Sequence, residues 1–296
     1  MKIAVTGKQG QLVQSLVARA AAGGHQIVPL GRPEFDLADP AGLANLLDAI
    51  APDAIVSAAA YTAVDKAESE PELAFAVNAE GPRALAREAA RRGIPLAHVS
   101  TDYVFPGDKA APYHEDDAVG PLGVYGASKL AGEAAVMEEH GANSAVLRTA
   151  WVYSPYGANF VKTMLRLAGD SDELGVVADQ VGNPTSALDI ADGVLGVVGN
   201  LLRDADPALR GVFHMTAYGE TSWAGFAEAI LAASRDHGGP WASVRHIATA
   251  DYPTPARRPA NSRLDCSKLE QRHGIRLPAW QESAPAIVAS LTDTKY

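Results

Sequence analysis

Through its first half the chain alternates short, continuously apolar runs with longer stretches in which apolar residues recur at helical spacing. Lys2 to Thr6, His25 to Leu30, Asp53 to Ser57, Ile94 to Val99 and Ala145 to Thr149 read as strands. Runs without polar alternation fit strands covered on both faces, as in a parallel sheet. Between them, Ser15 to Ala22, a segment opening at Asp39-Pro40, Glu72 to Arg92 and Val124 to about His140 read as helices. Asp39 suits an N-cap and Pro40 a first turn, while Gly23-Gly24 and Gly141 suit stops. This alternation predicts an α/β fold, a Rossmann-like doubly wound parallel sheet. Beyond residue 150 the alternation degrades. Helices are expected over Asn159 to Ala168, Leu188 to Leu202 and Trp223 to Ser234, with short strands at Gly175 to Ala178 and Gly211 to Met215. Residues 1–150 are therefore expected to form one domain. Residues 151–296 are expected to form a smaller α/β, mainly substrate-binding part, with some segments returning to the core.

Composition narrows the class. The 296 residues are 47% hydrophobic, enough for a full core, and carry a formal charge of −10. That charge argues against a nucleic-acid partner and gives no reason to expect a membrane one. No apolar run approaches the ~20 residues that span a bilayer, and no cationic leader precedes the first strand. Cys266 is the single cysteine, so an intrachain disulfide is excluded and a reducing compartment fits. A cytoplasmic protein is the expectation. In so acidic a chain, clustered arginines carry information.

The first strand ends in Gly7-Lys8-Gln9-Gly10-Gln11-Leu12-Val13 and a helix follows. Strand, glycine turn and helix make the phosphate-binding opening of a dinucleotide fold, in which the backbone approaches the pyrophosphate at a helix N-terminus. Val13 stands where a third glycine is usual. Arg32, after the second strand, suits either a ribose 2′-phosphate or a solvated loop. The small residues Ala58-Ala59-Ala60 before Tyr61 suit either a flat ligand or tight packing. Ser100-Thr101-Asp102-Tyr103 falls at the carboxyl end of a strand, where open α/β sheets bind ligands, and Thr101 can donate to a carbonyl. The acidic loop from Pro106 to Leu122 reads as solvated surface able to act as a lid.

Tyr125 and Lys129 lie four residues apart at the start of a helix, hence on one face. A cation within a few ångströms lowers a phenol's pKa, typically by ~1–3 units, which would make Tyr125 a usable general acid. Alone, the pair also fits a half-buried tyrosine beside a surface lysine. Near the C-terminus, Arg257, Arg258 and Arg263 are set among prolines. They suit an anion such as a diphosphate, or a salt-bridged surface arm. No His/Cys cluster calls for a metal.

Taken together, Gly7 to Leu12, Ala58 to Asp65, Ser100 to Phe105, Val124 to Glu133, Arg148 to Tyr153, Asn159-Phe160-Val161, Asp179 to Thr185 and Arg257 to Asp265 resemble an extended short-chain dehydrogenase/reductase. Within that superfamily they resemble the dTDP-4-dehydrorhamnose reductase family. The resemblance implies reduction of dTDP-4-dehydro-6-deoxy-L-mannose (dTDP-6-deoxy-L-lyxo-4-hexulose) to dTDP-L-rhamnose with NADPH or NADH. It implies Tyr125 as proton donor, Lys129 as its tuning cation and ribose contact, and Thr101 as third member of the set. Gly7, Gly10, Gln11, Leu12, Arg32, Asp36, Leu37, Ala59, Ala60 and Tyr61 would join Tyr125 and Lys129 around the cofactor. Asp102, Tyr103, Trp151, Asn183, Arg257 and Arg263 would join Thr101 around the dTDP-linked sugar. A homodimer is implied. Some relatives carry Mg2+, which nothing in this sequence requires. The alternatives are a reductase for another nucleotide-linked 4-keto-deoxy sugar and a non-catalytic regulatory subunit of the same fold. The intact Thr101, Tyr125 and Lys129 argue against the latter.

Overall fold

Ile3, Ala4 and Val5 are all fully buried. Successive strand residues face opposite ways, so the first strand must be covered on both sides. In the computed structural model, which describes residues 1–292, it is. The elements of the first half are β1 (Lys2–Thr6), α1 (Gln11–Ala20), β2 (Gln26–Leu30), α2 (Leu43–Ile50), β3 (Ala54–Ser57), α3 (Val64–Ala67), α4 (Pro71–Phe75), α5 (Gly81–Arg92), β4 (Leu96–Thr101), α6 (Val124–His140) and β5 (Ser144–Thr149). There follow β6 (Val152–Tyr153), α7 (Phe160–Ala168), β7 (Glu173–Val177), β8 (Val181–Gly182), β9 (Thr185–Ser186), α8 (Ala187–Arg203), β10 (Gly211–His214), β11 (Thr221–Ser222), α9 (Trp223–Asp236), β12 (Ser243–Ile247), α10 (Ser267–His273) and α11 (Trp280–Thr292).

Six strands form one parallel sheet in the order β10-β5-β4-β3-β1-β2. Strand order reverses beside β1, so the loops after β1 and β3 diverge there and open a crevice. Ile3 and Val5 pack with Leu12, Leu16, Ile190 and Val194 of α1 and α8. Ala4 packs with Leu43, Leu47, Leu85 and Val136 of α2, α5 and α6. A separate cluster joins Tyr153, Val161, Phe226, Ile230, Trp280 and Val288, away from the sheet.

The approach of α6 is set by glycines. A Cβ on Gly126 would collide with the Tyr103 carbonyl oxygen, and one on Gly132 with that of Asn78. Glycine is thus required at both positions for close packing rather than for backbone freedom.

Three expectations are corrected. The helix expected over Glu72 to Arg92 is interrupted: α4 passes through a π turn at 76–80 before α5. Pro82 has no N–H for the carbonyl four residues earlier, and its ring crowds that carbonyl, so the turn widens. Gly141 does not stop α6 in a left-handed cap; its φ is −56° and the chain runs on as a 3-10 turn through Asn143. The loop from Pro106 to Leu122 is not merely solvated. Tyr113 is buried and stacks on Phe105 at 4.3 Å. Its N–H donates to the Arg263 carbonyl at 2.8 Å, its carbonyl accepts from the Asp265 N–H at 2.8 Å, and Asn261 donates to the Lys109 and Ala111 carbonyls.

Gly132→Ala should cost about 1–3 kcal/mol through overpacking. The cost should appear as a lower thermal and urea midpoint than that of an exposed control such as Gly42→Ala, whose Cβ meets nothing.

Candidate active site

A cavity of about 580 Å³ opens over the carboxyl ends of β1, β3, β4 and β5. On one side lie Gly7, Gln9, Gly10, Gln11 and Leu12; opposite stand Ala58, Ala59 and Ala60. Gly7 has φ +101°, a region that favours glycine, and its Cβ position is 3.5 Å from Ala59 Cβ. The Thr6 hydroxyl accepts from the N–H groups of both Ala58 and Ala59 at 3.0 Å and so ties the two walls together. Gly10 caps α1 without any side chain, leaving the first-turn N–H groups facing outward. A side-chain-free helix start opposite alanines is a cradle that fits a pyrophosphate.

Thr101, Asp102, Tyr103, Tyr125, Lys129 and Trp151 line the far part of the same cavity. The Tyr103 and Tyr125 rings meet edge to face at 5.5 Å. The Thr101 hydroxyl donates to Asp102 Oδ1 at 2.9 Å and stands beside the Tyr125 phenol. Lys129 Nζ donates to the Val99 carbonyl at 2.6 Å. Trp151, at φ +48°, stacks on Trp223 at 3.6 Å. Gly182 leaves room for its indole.

The electrostatics differ from the sequence expectation. Burial pushes the Tyr125 phenol above the ordinary tyrosine value, aided by Asp102 and against the Thr101 hydrogen bond. Burial also pushes Lys129 down to about 8, opposed by Glu133. Sequence reasoning weighed the neighbouring charge but not the dry environment that both groups share. The phenol is therefore held protonated at neutral pH. Burial likewise raises Asp102 to about 6, and its Oδ2 has no hydrogen-bond partner.

Other expected residues take other places. Gln11 lines the cavity, but its side chain bridges to the second half of the chain, accepting from Ser154 Oγ at 2.8 Å and Asn159 Nδ2 at 3.1 Å. Arg32 and Asp36 are exposed beyond β2, Leu37 is packed in the core beneath Gly81, and none of the three lines the cavity. Tyr61 turns its hydroxyl to Glu70 at 2.7 Å while its backbone is held by Asn78. Asn183 is committed to the Gly219 carbonyl and the Leu264 N–H. Arg263 is committed to Asn261, Glu220 and the Ala110 carbonyl. Arg257 is exposed.

Arg258, grouped with Arg257 and Arg263 as suiting an anion but absent from the substrate set the resemblance implies, takes a more telling place. It reaches Asp65 at 2.7 Å and the Tyr103 phenol, and one of its nitrogens is buried without a partner. Sequence reasoning passed over Ser262, which stands against Asp102, and Asn78, which donates to Ser128 of α6 at 2.9 Å. The signal for Asn78 was a polar residue just ahead of Gly81-Pro82 in an otherwise helical run. Among the described residues no group of three or more His, Cys, Asp or Glu side chains is placed to hold a metal ion. No helix there is long and apolar enough to cross a membrane.

The family described as RmlD substrate binding domain matches residues 1–293. The chain belongs to the dTDP-4-dehydrorhamnose reductase family. It is 54% identical to the Sinorhizobium fredii dTDP-4-dehydrorhamnose reductase over 291 residues, 98% of each chain. It is 42% identical to that of Escherichia coli K12, covering 99% of each. Among solved members of the family, the Clostridium acetobutylicum structure superposes with a TM-score of 0.90 at 36% identity, covering 98% of this chain and 99% of that one. The Bacillus anthracis structure, solved in complex with NADP, gives 0.90 at 33% identity with the same coverage.

One consequence of the buried carboxyl can be measured without ligands. Asp102 titrates higher folded than unfolded, so its favourable contribution is present below about pH 4 and lost as pH rises through about 6. Asp102→Asn should therefore raise the thermal midpoint at pH 8 and leave it unchanged near pH 4. An equal effect at both values would refute the assignment.

Proposed function

We propose that this protein reduces dTDP-4-dehydro-6-deoxy-L-mannose to dTDP-L-rhamnose with NADPH or NADH. The observation that carries the reading is the single cavity that places a side-chain-free helix start within reach of Thr101, Tyr125 and Lys129. Family membership at 54% identity over nearly the whole chain fixes the substrate class. NADP in the Bacillus anthracis structure, at 33% identity, supports the cofactor.

The Gly7–Leu12 turn and Ala58 to Ala60 would hold the dinucleotide, with residues 1–150 forming its domain and 151–296 mainly shaping the substrate side. When bound, the dinucleotide supplies hydride to the C4 carbonyl carbon. Thr101, turning its one hydroxyl proton from Asp102 Oδ1 to the substrate, orients the carbonyl by donating to its oxygen. Tyr125, kept protonated by its dry surroundings, gives that oxygen a proton. Lys129 brings a positive charge to the site, which favours the phenolate once the proton has left. Asp102 accepts from a sugar hydroxyl through the oxygen that has no partner in the protein. Trp151, braced by Trp223, offers a flat apolar face to the sugar or base. Arg258, rather than the committed Arg263, meets the diphosphate. The acidic, single-cysteine chain fits the cytoplasm, and the family resemblance carries the homodimer.

Purified protein should oxidise NADPH on addition of freshly generated dTDP-6-deoxy-L-lyxo-4-hexulose and yield dTDP-L-rhamnose; dinucleotide binding without oxidation would overturn the reading. Tyr125→Phe should lower kcat by ~10²–10⁴, the usual worth of a general acid, while NADPH binding persists. Arg258→Ala should raise KM for the nucleotide sugar roughly tenfold, about the loss of one charge-assisted hydrogen bond. It should leave KM for NADPH in place.

A further inference from the structure

Tyr125, Lys129 and Glu133 recur every four residues on one face of α6. That face lies on β4, where three consecutive residues each meet one of them. The Val99 carbonyl accepts from Lys129 Nζ, Ser100 Oγ donates to Glu133 Oε1 at 2.5 Å, and the Thr101 hydroxyl stands beside Tyr125. Ser100 pairs in register with Arg148 on β5. Arg148 grips the same carboxylate with a fork, Nε to Oε1 at 2.9 Å and a terminal nitrogen to Oε2 at 2.7 Å. Both side chains are almost wholly buried, at 5% and 4% exposure. We propose that Glu133, gripped by Ser100 and Arg148, is a positioning residue that fixes the place and the charge of Lys129.

Stability alone does not account for such a pair. A buried ion pair is often replaceable by apolar side chains at no loss. What it supplies locally is negative charge. Lys129 is buried, and Glu133 is the group that opposes its loss of charge. Among the described residues Glu133 is the charge that acts on it; the other groups nearby are uncharged or, like Arg148, paired with Glu133. His98 on β4 is held uncharged by burial and by Lys129 itself. Arg148 on β5 is cationic, and His214 on β10, behind Arg148, is driven down to about 3 by burial and by that arginine. Tyr125 on α6 is protonated, Asp102 acts on Tyr125, and Asn78 and Ser128 carry no charge. Ser100 and Arg148 hold Glu133 at the one place from which it can act on Lys129, one helical turn away.

This inference rests on the reductase reading, and its test separates the two. The profile of kcat/KM against pH should fall on the alkaline side as Lys129 loses its proton. Glu133→Gln keeps the shape and removes the charge. It should move that alkaline limb down by roughly one pH unit, the size of shift a neighbouring charge produces. Glu133→Asp keeps the charge and should restore the limb even where kcat stays low. A limb unmoved in Glu133→Gln, with only kcat reduced, would mean a structural role and overturn the proposal. NADPH binding against pH, followed by tryptophan fluorescence, should show the same displacement without turnover; no displacement there would equally overturn it. A parent protein that binds NADPH but turns over no keto sugar would instead refute the reductase reading, leaving the binding profile to judge Glu133. Should Glu133→Gln fail to fold, the double replacement Glu133→Leu with Arg148→Met removes both charges together and leaves neither orphaned. Its binding profile should again lie below that of the parent, and coincidence of the two would overturn the proposal.

Discussion

The close contact of α6 with the turn after β4 and with the π turn at 76–80 is the constraint from which the site follows. It exists because Gly126 and Gly132 present bare backbone to the carbonyls of Tyr103 and Asn78. A helix spaced by ordinary side chains would lie too far out. Lys129 could not reach the Val99 carbonyl, nor Glu133 the hydroxyl of Ser100. The edge contact between Tyr103 and Tyr125 would open as well. The chemistry of the helix's polar face is thus secured by the smallness of its packed one.

Burial then decides what the polar face does. Tyr125 and Lys129 share a dry setting, and each is driven towards its neutral form. For the phenol this is useful, because a proton donor must hold its proton until it is needed. For the ammonium it is a liability, and the carboxylate one turn further along works against it. One environment thus acts on both groups in the same sense, and the protein offsets only the unhelpful half.

Much of this was legible in the chain. The apolar runs gave the parallel strands because strands covered on both faces cannot alternate. The glycine turn after β1 and the Tyr125–Lys129 spacing are local signals, and a local element preserves them. What could not be read were facts that depend on partners distant in sequence. Arg257, Arg258 and Arg263 looked alike in the sequence, yet Arg263, like Asn183, is hydrogen-bonded within the protein, whereas Arg258 points to Tyr103. The direction of the Tyr125 shift was missed because desolvation is a property of the assembled surroundings. The π turn at 76–80 was hidden because a helical pattern shows where a helix runs and not how wide each turn is.

The arm from Tyr252 to Asp265 closes the site from the far end of the chain. It sets Ser262 against Asp102 and Arg258 against Tyr103, and it laces Asn261, Arg263 and Asp265 to the loop around Tyr113. During synthesis the glycine turn, β4 and the tyrosine helix all emerge in the first half of the chain, long before these partners exist. A nascent or prematurely terminated chain can therefore assemble its early strands and still present an open, unfinished rim. The rim is completed only once this arm has been made, so a chain stopped before Tyr252 lacks both Ser262 beside Asp102 and Arg258 beside Tyr103.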